Sequence, residues 1–149
     1  MAAAVPDRRI VEAALSLLED RLRTVGRRPL VFGICGAQGS GKSTLANALA
    51  RELAGQGRRV AVLSLDDLYL IRAERQELAT RVHSLFATRG VPGTHDVALG
   101  LELIAALERG EAAALPRFDK RRDERVDQAD WPRAPEHCEV LILEGWCLG

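Results

Sequence analysis

At 149 residues, with 21 basic and 21 acidic side chains, the chain has the length of one domain and a formal net charge of zero, so no global field draws nucleic acid or an anionic membrane to it. A hydrophobic fraction of 47% suffices for a globular core and excludes a fibre or a disordered tail. No stretch approaches the roughly 20 apolar residues of a membrane span, the start lacks a secretory apolar segment, and Asp7, Glu12, Glu19 and Asp20 argue against a transit peptide, so a soluble cytoplasmic protein is expected.

Ile10, Val11, Ala14, Leu15, Leu18, Leu22 and Val25 recur at helical steps, which predicts an amphipathic helix within residues 1–28, ended by Gly26 and Pro29 and packed on a sheet. Leu30–Cys35 reads as a short buried strand. Residues 36–44 follow as Gly-Ala-Gln-Gly-Ser-Gly-Lys-Ser-Thr, which fills the G-x-x-x-x-G-K-[ST] pattern of a phosphate-binding P-loop, the Walker A motif. The chemistry explains the spacing. Glycines let successive N–H groups turn toward phosphate oxygens, the lysine reaches the β and γ phosphates, and the serine hydroxyl ligates Mg²⁺. The candidate nucleotide cradle is therefore Gly36, Ala37, Gln38, Gly39, Ser40, Gly41, Lys42, Ser43 and Thr44, with ATP and Mg²⁺ as the implied cofactors. Thr44–Ala50 then has helical spacing, so strand, loop and helix stand in the order the motif requires.

Gly55 to Gly57 form a break before Arg59–Leu65, a second buried strand that closes on Asp66 and Asp67. Ligands gather outside the carboxyl ends of parallel strands, so both acids are candidates for chemistry. Asp67 has a rival role as cap of a helical stretch from Arg72 to Phe86. The segment Arg89-Gly-Val-Pro-Gly-Thr-His-Asp96 reads as a loop with side chains suited to a polar ligand. It leads into a helix with Val97, Leu101, Leu103, Ile104 and Leu107 on its apolar face, for which Asp96 and Thr94 are possible caps. Arg89 and His95 have no capping role.

Pro116–Lys120 is read as extended, and the mixed-sign run Lys120–Arg125 as a solvated loop. Lys42 and Lys120 are the two lysines of the chain; arginine supplies the other positive charges. Val140–Leu143 is a third buried strand, with Glu144 at its end. A carboxylate there costs free energy unless a cation or donor satisfies it, which makes Glu144 a candidate for holding Mg²⁺ together with Ser43. Cys35, Cys138 and Cys147 are odd in number and lack C-x-x-C spacing, so reduced thiols are expected, with Cys35 and Cys138 as small buried hydrophobes. The fold these elements predict is α/β: a three-layer αβα P-loop NTPase with a mainly parallel sheet, in a single domain over 1–149.

The P-loop, Leu63-Ser-Leu-Asp66-Asp67-Leu-Tyr69, Arg89-Gly-Val-Pro-Gly-Thr-His-Asp96, Leu115-Pro-Arg-Phe-Asp-Lys120 and Leu143-Glu-Gly-Trp-Cys-Leu-Gly149 together resemble the plant-type D-glycerate 3-kinases and their microbial relatives, within the phosphoribulokinase and uridine kinase group of P-loop kinases. The resemblance runs from about Pro29 to the last residue. It implies ATP-dependent phosphoryl transfer to a small metabolite, D-glycerate giving 3-phosphoglycerate. Lys42 and Asp66 become the catalytic pair, Asp66 as general base, and Glu144 the acid near the metal. Asp67, Tyr69, Arg89, His95, Asp96, Asp119 and Lys120 fall in the acceptor-binding region. Other acceptors, such as a nucleoside, pantothenate or a sugar phosphate, remain open. A GTPase is disfavoured, because no Asn-Lys-x-Asp signature is present.

Relatives in this group continue through further strands, helices and a basic lid. The sheet is therefore expected to be incomplete at its C-terminal side, with the P-loop strand as an unpaired edge. A truncated ATP-binding module is the competing reading, with a homo-oligomer or a second chain completing the sheet.

Overall fold

A computed structural model describes residues 5–148. Met1 to Ala4, on which the reading of the leader partly rests, and Gly149, the end of the Glu-Gly-Trp segment, lie outside the described residues. No helix among the described residues is long and apolar enough to cross a membrane.

Helix α1 (Arg8–Thr24) begins where the Asp7 carboxylate accepts the Arg9 N–H at 2.9 Å, and it buries Val11, Leu18 and Leu22. Ile10, expected on that face, is 55% exposed. Then come strand β1 (Leu30–Cys35), helix α2 (Lys42–Gly55) and strand β2 (Val60–Ser64), which runs into a 3₁₀ turn at Leu65–Leu68. Helix α3 (Arg72–Arg81) stops short of the predicted Phe86, because the His83 ring accepts the Leu85 N–H at 3.2 Å and opens a separate 3₁₀ turn at Ser84–Ala87. Helix α4 (Val97–Glu108) turns Gly100, Leu103 and Leu107 inward and leaves Val97 and Leu101 exposed, contrary to the expected face. Gly100 permits that rotation: a Cβ there would lie 3.2 Å from Leu68 Cδ1.

The remaining strands are short until the last: β3 (Ala113–Ala114), β4 (Phe118–Asp119), β5 (Glu124–Arg125), β6 (Arg133–Ala134) and β7 (Val140–Gly145). β3 pairs with β6 and β4 with β5, both antiparallel. The main sheet is parallel, in the order β1-β7-β2, with Val140 opposite both Leu30 and Val60. β7 is thus the central strand and is buried almost throughout.

The sheet separates two cores. Val140 and Ile142 face one way, onto Leu18 of α1 and Leu49 and Leu53 of α2; Leu141, Ala61 and Leu63 face the other, onto Leu103 and Leu107 of α4 with Ala113 and Ala134. That is the three-layer αβα sandwich its patterning predicts. β1 is less buried than its apolar run suggested. Among the described residues it has no strand on its outer side, and Val31 is 41% exposed. Cys35 at its end is exposed, correcting the expected buried thiol, whereas Cys138 is buried, which pushes its thiol pKa up.

Two contacts lock the central strand. Glu139, just before β7, accepts the Arg59 N–H at 3.0 Å and an Arg58 guanidinium bond at 2.9 Å. The Arg59 amide bond holds its carboxyl below the usual range, against the opposing effect of burial and with help from Arg58. Its pKa is depressed on folding, so the stabilisation is present above the ordinary glutamate value of about 4.3 and is lost as pH falls through the lower folded value. Glu139→Gln should lower stability by about 1 kcal/mol at pH 7 and flatten the acid limb, as read from urea midpoints between pH 3 and 7. At the other end of the strand, a Cβ on Gly145 would lie 2.7 Å from Leu65 Cβ, which has no flexible tip to move away. Gly145→Ala should cost about 1–3 kcal/mol in denaturant melts.

Candidate active site

The P-loop joins the end of β1 to the start of α2. Gly39 and Gly41 take φ of 75° and 88°, a left-handed backbone that side chains resist. α2 begins without a side-chain cap, so its first N–H groups are free to meet an anion. The Lys42 ammonium donates to the Ala37 carbonyl at 2.7 Å across the loop, which fixes its position and leaves two of its three donors available.

One helical position on, the Ser43 hydroxyl donates to Glu144 Oε1 at 2.9 Å. Glu144 is only 5% exposed, at the end of the apolar β7. A hydroxyl and a buried carboxylate joined beside a phosphate loop are oxygen donors of the kind Mg²⁺ takes, alongside phosphate and water. The donor set fits the cation that the P-loop implies.

Across the cavity, the 3₁₀ turn after β2 presents Asp66. Its Oδ2 meets the Lys120 ammonium at 2.5 Å, while Oδ1 is buried without a hydrogen-bond partner. The cavity between the two sides measures about 520 Å³. Gln38, Gly39, Lys42 and Ser43 line the nucleotide side, Asp66, Tyr69, Arg89 and Lys120 the facing side, with Glu144, Gly145 and Trp146 between them.

Tyr69 is buried with its ring stacked on His95 at 4.5 Å and edge-on to Phe118 at 5.6 Å. Burial, then the neighbouring Asp66 charge, pushes the Tyr69 hydroxyl pKa up. His95 stands behind Tyr69 instead of lining the cavity, and burial lowers its pKa, so the neutral ring is favoured.

Three other candidates do local work. Asp67 neither caps α3 nor lines the main cavity: it accepts the Phe118 N–H at 3.0 Å and an Arg117 bond at 3.3 Å, tying β4 to the turn that carries Asp66. Burial raises its pKa. Asp96 caps α4 by accepting the Leu99 N–H at 3.0 Å and pairs with Arg125 at 3.1 Å. Asp119 accepts the N–H groups of Arg121 and Arg122, at 2.9 and 3.2 Å, and so shapes the β4–β5 turn.

The sequence reading missed Ser64, Gly90, Gly145 and Trp146 as cavity residues, and the Arg75–Asp123 pair outside the cavity lining. Ser64 stands at the carboxyl end of a parallel strand, a signal that could have found it. Asp123 lies in the run read as a solvated loop; instead it pairs with Arg75 and Arg89.

The family model for the methylmalonyl Co-A mutase-associated GTPase MeaB matches residues 3–68, the stretch from the leading helix through the P-loop to the turn after β2. Among curated proteins, "Uncharacterized kinase mug58" of Schizosaccharomyces pombe is 40% identical over 94% of this chain and 53% of its own length. D-glycerate 3-kinase, chloroplastic, of Arabidopsis thaliana is 34% identical over 81% of this chain and 29% of its own. The chain is a homologue of P-loop kinases, D-glycerate 3-kinases and uridine kinases among them. The structure of D-glycerate 3-kinase from Cryptococcus neoformans var. grubii superposes with a TM-score of 0.78 at 28% identity, covering 92% of this chain and 52% of that one. This kinase homologue therefore spans about half the length, or less, of these relatives.

Proposed function

We propose that the protein transfers the terminal phosphoryl group of ATP to a hydroxyl of a small metabolite, D-glycerate foremost. One observation carries this: Asp66 lines the same cavity as Lys42 and the Ser43–Glu144 pair. Main-chain N–H groups of the loop and the Lys42 ammonium bind the phosphates and neutralise the charge that spreads over them. Ser43 and Glu144 would hold Mg²⁺, which supplies further neutralisation of phosphate oxygens. Asp66 orients the acceptor hydroxyl and takes its proton as the oxygen attacks. Lys120, bonded to the other oxygen of Asp66, keeps that carboxylate in place.

Glycerate is favoured by the names of two relatives and by the cationic pair Arg89 and Lys120 on the acceptor side. An assay coupling ADP release to NADH oxidation, run with ATP, Mg²⁺ and in turn D-glycerate, uridine and pantothenate, tests it. Turnover with glycerate well above the others is the expected result; turnover with uridine or pantothenate alone would reassign the acceptor.

The open outer side of β1 favours a second reading, in which this segment binds ATP and a further segment, a second copy or another chain completes the sheet before transfer occurs. Nucleotide binding with no product, in a chain that self-associates, would support it. We place the protein in the cytoplasm on both readings.

A further inference from the structure

Arg75 is a charged side chain at 1% exposure, and all its nitrogens are engaged. Nε donates to the Leu70 carbonyl at 3.1 Å, Nη1 to the Ala87 carbonyl at 2.8 Å and Nη2 to the Asp123 carbonyl at 3.2 Å. Nη2 also meets Asp123 Oδ1 at 2.8 Å. Three separate segments are thereby fixed to one guanidinium: the approach to α3, the end of the second 3₁₀ turn, and the β4–β5 turn. Asp123 sits in that turn with φ of 56°, an uncommon conformation for a residue with a side chain.

The same Oδ1 accepts a bond from Arg89, whose guanidinium also lies over the Phe118 ring, 5.4 Å from its centroid. Arg89 is thus held from two sides at the wall of the cavity that Lys120 also lines. Two guanidiniums share one carboxylate, so one positive charge remains uncompensated there. Burial works against the Asp123 charge, yet the two arginines prevail and hold its carboxyl below the usual range. A surplus charge on a fixed, planar donor fork is suited to an anionic oxygen pair.

We propose that Asp123, anchored by the buried Arg75, is a positioning residue that aims Arg89 at a carboxylate or phosphate group carried by the acceptor. This rests on the kinase reading and narrows it to anionic acceptors. It also assigns the β4–β5 turn a part in substrate selection.

The test uses the full chain with Asp123→Asn, Arg89→Gln and the double variant. With D-glycerate as acceptor, Asp123→Asn should raise the acceptor KM roughly tenfold, with the KM for ATP within about twofold of the parent. The double variant should be no worse than Arg89→Gln alone, since Asp123 acts through that side chain. Glycerol, which carries no charge, should bind all variants equally. Sn-glycerol 3-phosphate, run beside D-glycerate, distinguishes a phosphate from a carboxylate as the group received.

A second readout does not need turnover: the Arg89 Nη–H groups, one of which donates to Asp123, followed by ¹⁵N NMR and assigned through Arg89→Gln, should exchange with solvent about tenfold faster in Asp123→Asn. Unchanged Arg89 exchange would overturn the positioning role. Additive effects in the double variant, or equal losses for ATP and acceptor, would do the same. A parent protein that phosphorylates uridine but neither anion would overturn anion selection, and one with no transfer at all would overturn the kinase reading while the exchange measurement still decides the role of Asp123.

Discussion

Lys42→Ala is expected to reduce turnover by about a hundredfold or more and to weaken ATP binding measurably. The ammonium is the first residue of α2, tethered to the Ala37 carbonyl at 2.7 Å, so its placement is inherited from the loop at no further ordering cost. Alanine is the strongest helix former and Lys42 is not part of either core, so the fold should survive. Titration with a fluorescent ATP analogue, beside a thermal melt within a few degrees of the parent, separates lost binding from lost structure. Near-parental turnover in this variant would remove Lys42 from the chemistry. Lys42→Arg should recover little, because a planar fork does not replace a compact ammonium at the same tether.

Asp66→Asn carries the second large effect, on the order of a hundredfold or more in kcat with ATP affinity nearly unchanged. The carboxylate and the P-loop occupy opposite sides of one cavity, and the side chain bonds Lys120, not the loop. An amide keeps the shape and removes the proton acceptor. It also leaves the Lys120 ammonium without its counter-charge, so acceptor affinity should change more than nucleotide affinity. Initial rates over a matrix of ATP and acceptor concentrations read this split directly. A variant with parental kcat would take the general-base role from Asp66.

Much of the nucleotide half of the site was legible along the chain, because it is built from residues close in sequence. Gly36 to Thr44 carry their own loop, and the apolar runs at 30–35, 60–64 and 140–145 carry their own strands. What patterning along the chain does not encode is which strand lies beside which. A continuous apolar run reads the same in a central strand as at an edge; the edge position expected of β1 came from the family resemblance, not from its own residues. The acceptor side was legible as a set of segments but not as a set of roles. Asp67 and Asp96 each present a carboxylate near a helix start, yet one tethers Phe118 and the other caps α4 and meets Arg125. The run Lys120–Arg125 has the composition of a solvated loop, and Arg121 and Arg122 are exposed in it, but Lys120, Asp123 and Arg125 find partners far away in sequence: Asp66, Arg75, Arg89 and Asp96.

The central place of β7 has a bearing on how the molecule comes into being. β1 and β2 do not pair with each other; both find their backbone partners on a strand that begins at Val140, so the sheet cannot close until that stretch has left the ribosome. Contacts of such sequence separation fold slowly, and meanwhile the nascent chain holds an apolar P-loop strand and an apolar β2 with nothing between them. The pairing of Ser43 with Glu144 arrives in the same event. Nucleotide affinity should therefore appear abruptly during synthesis, not build up by degrees, and chaperones would have most to do just before it does.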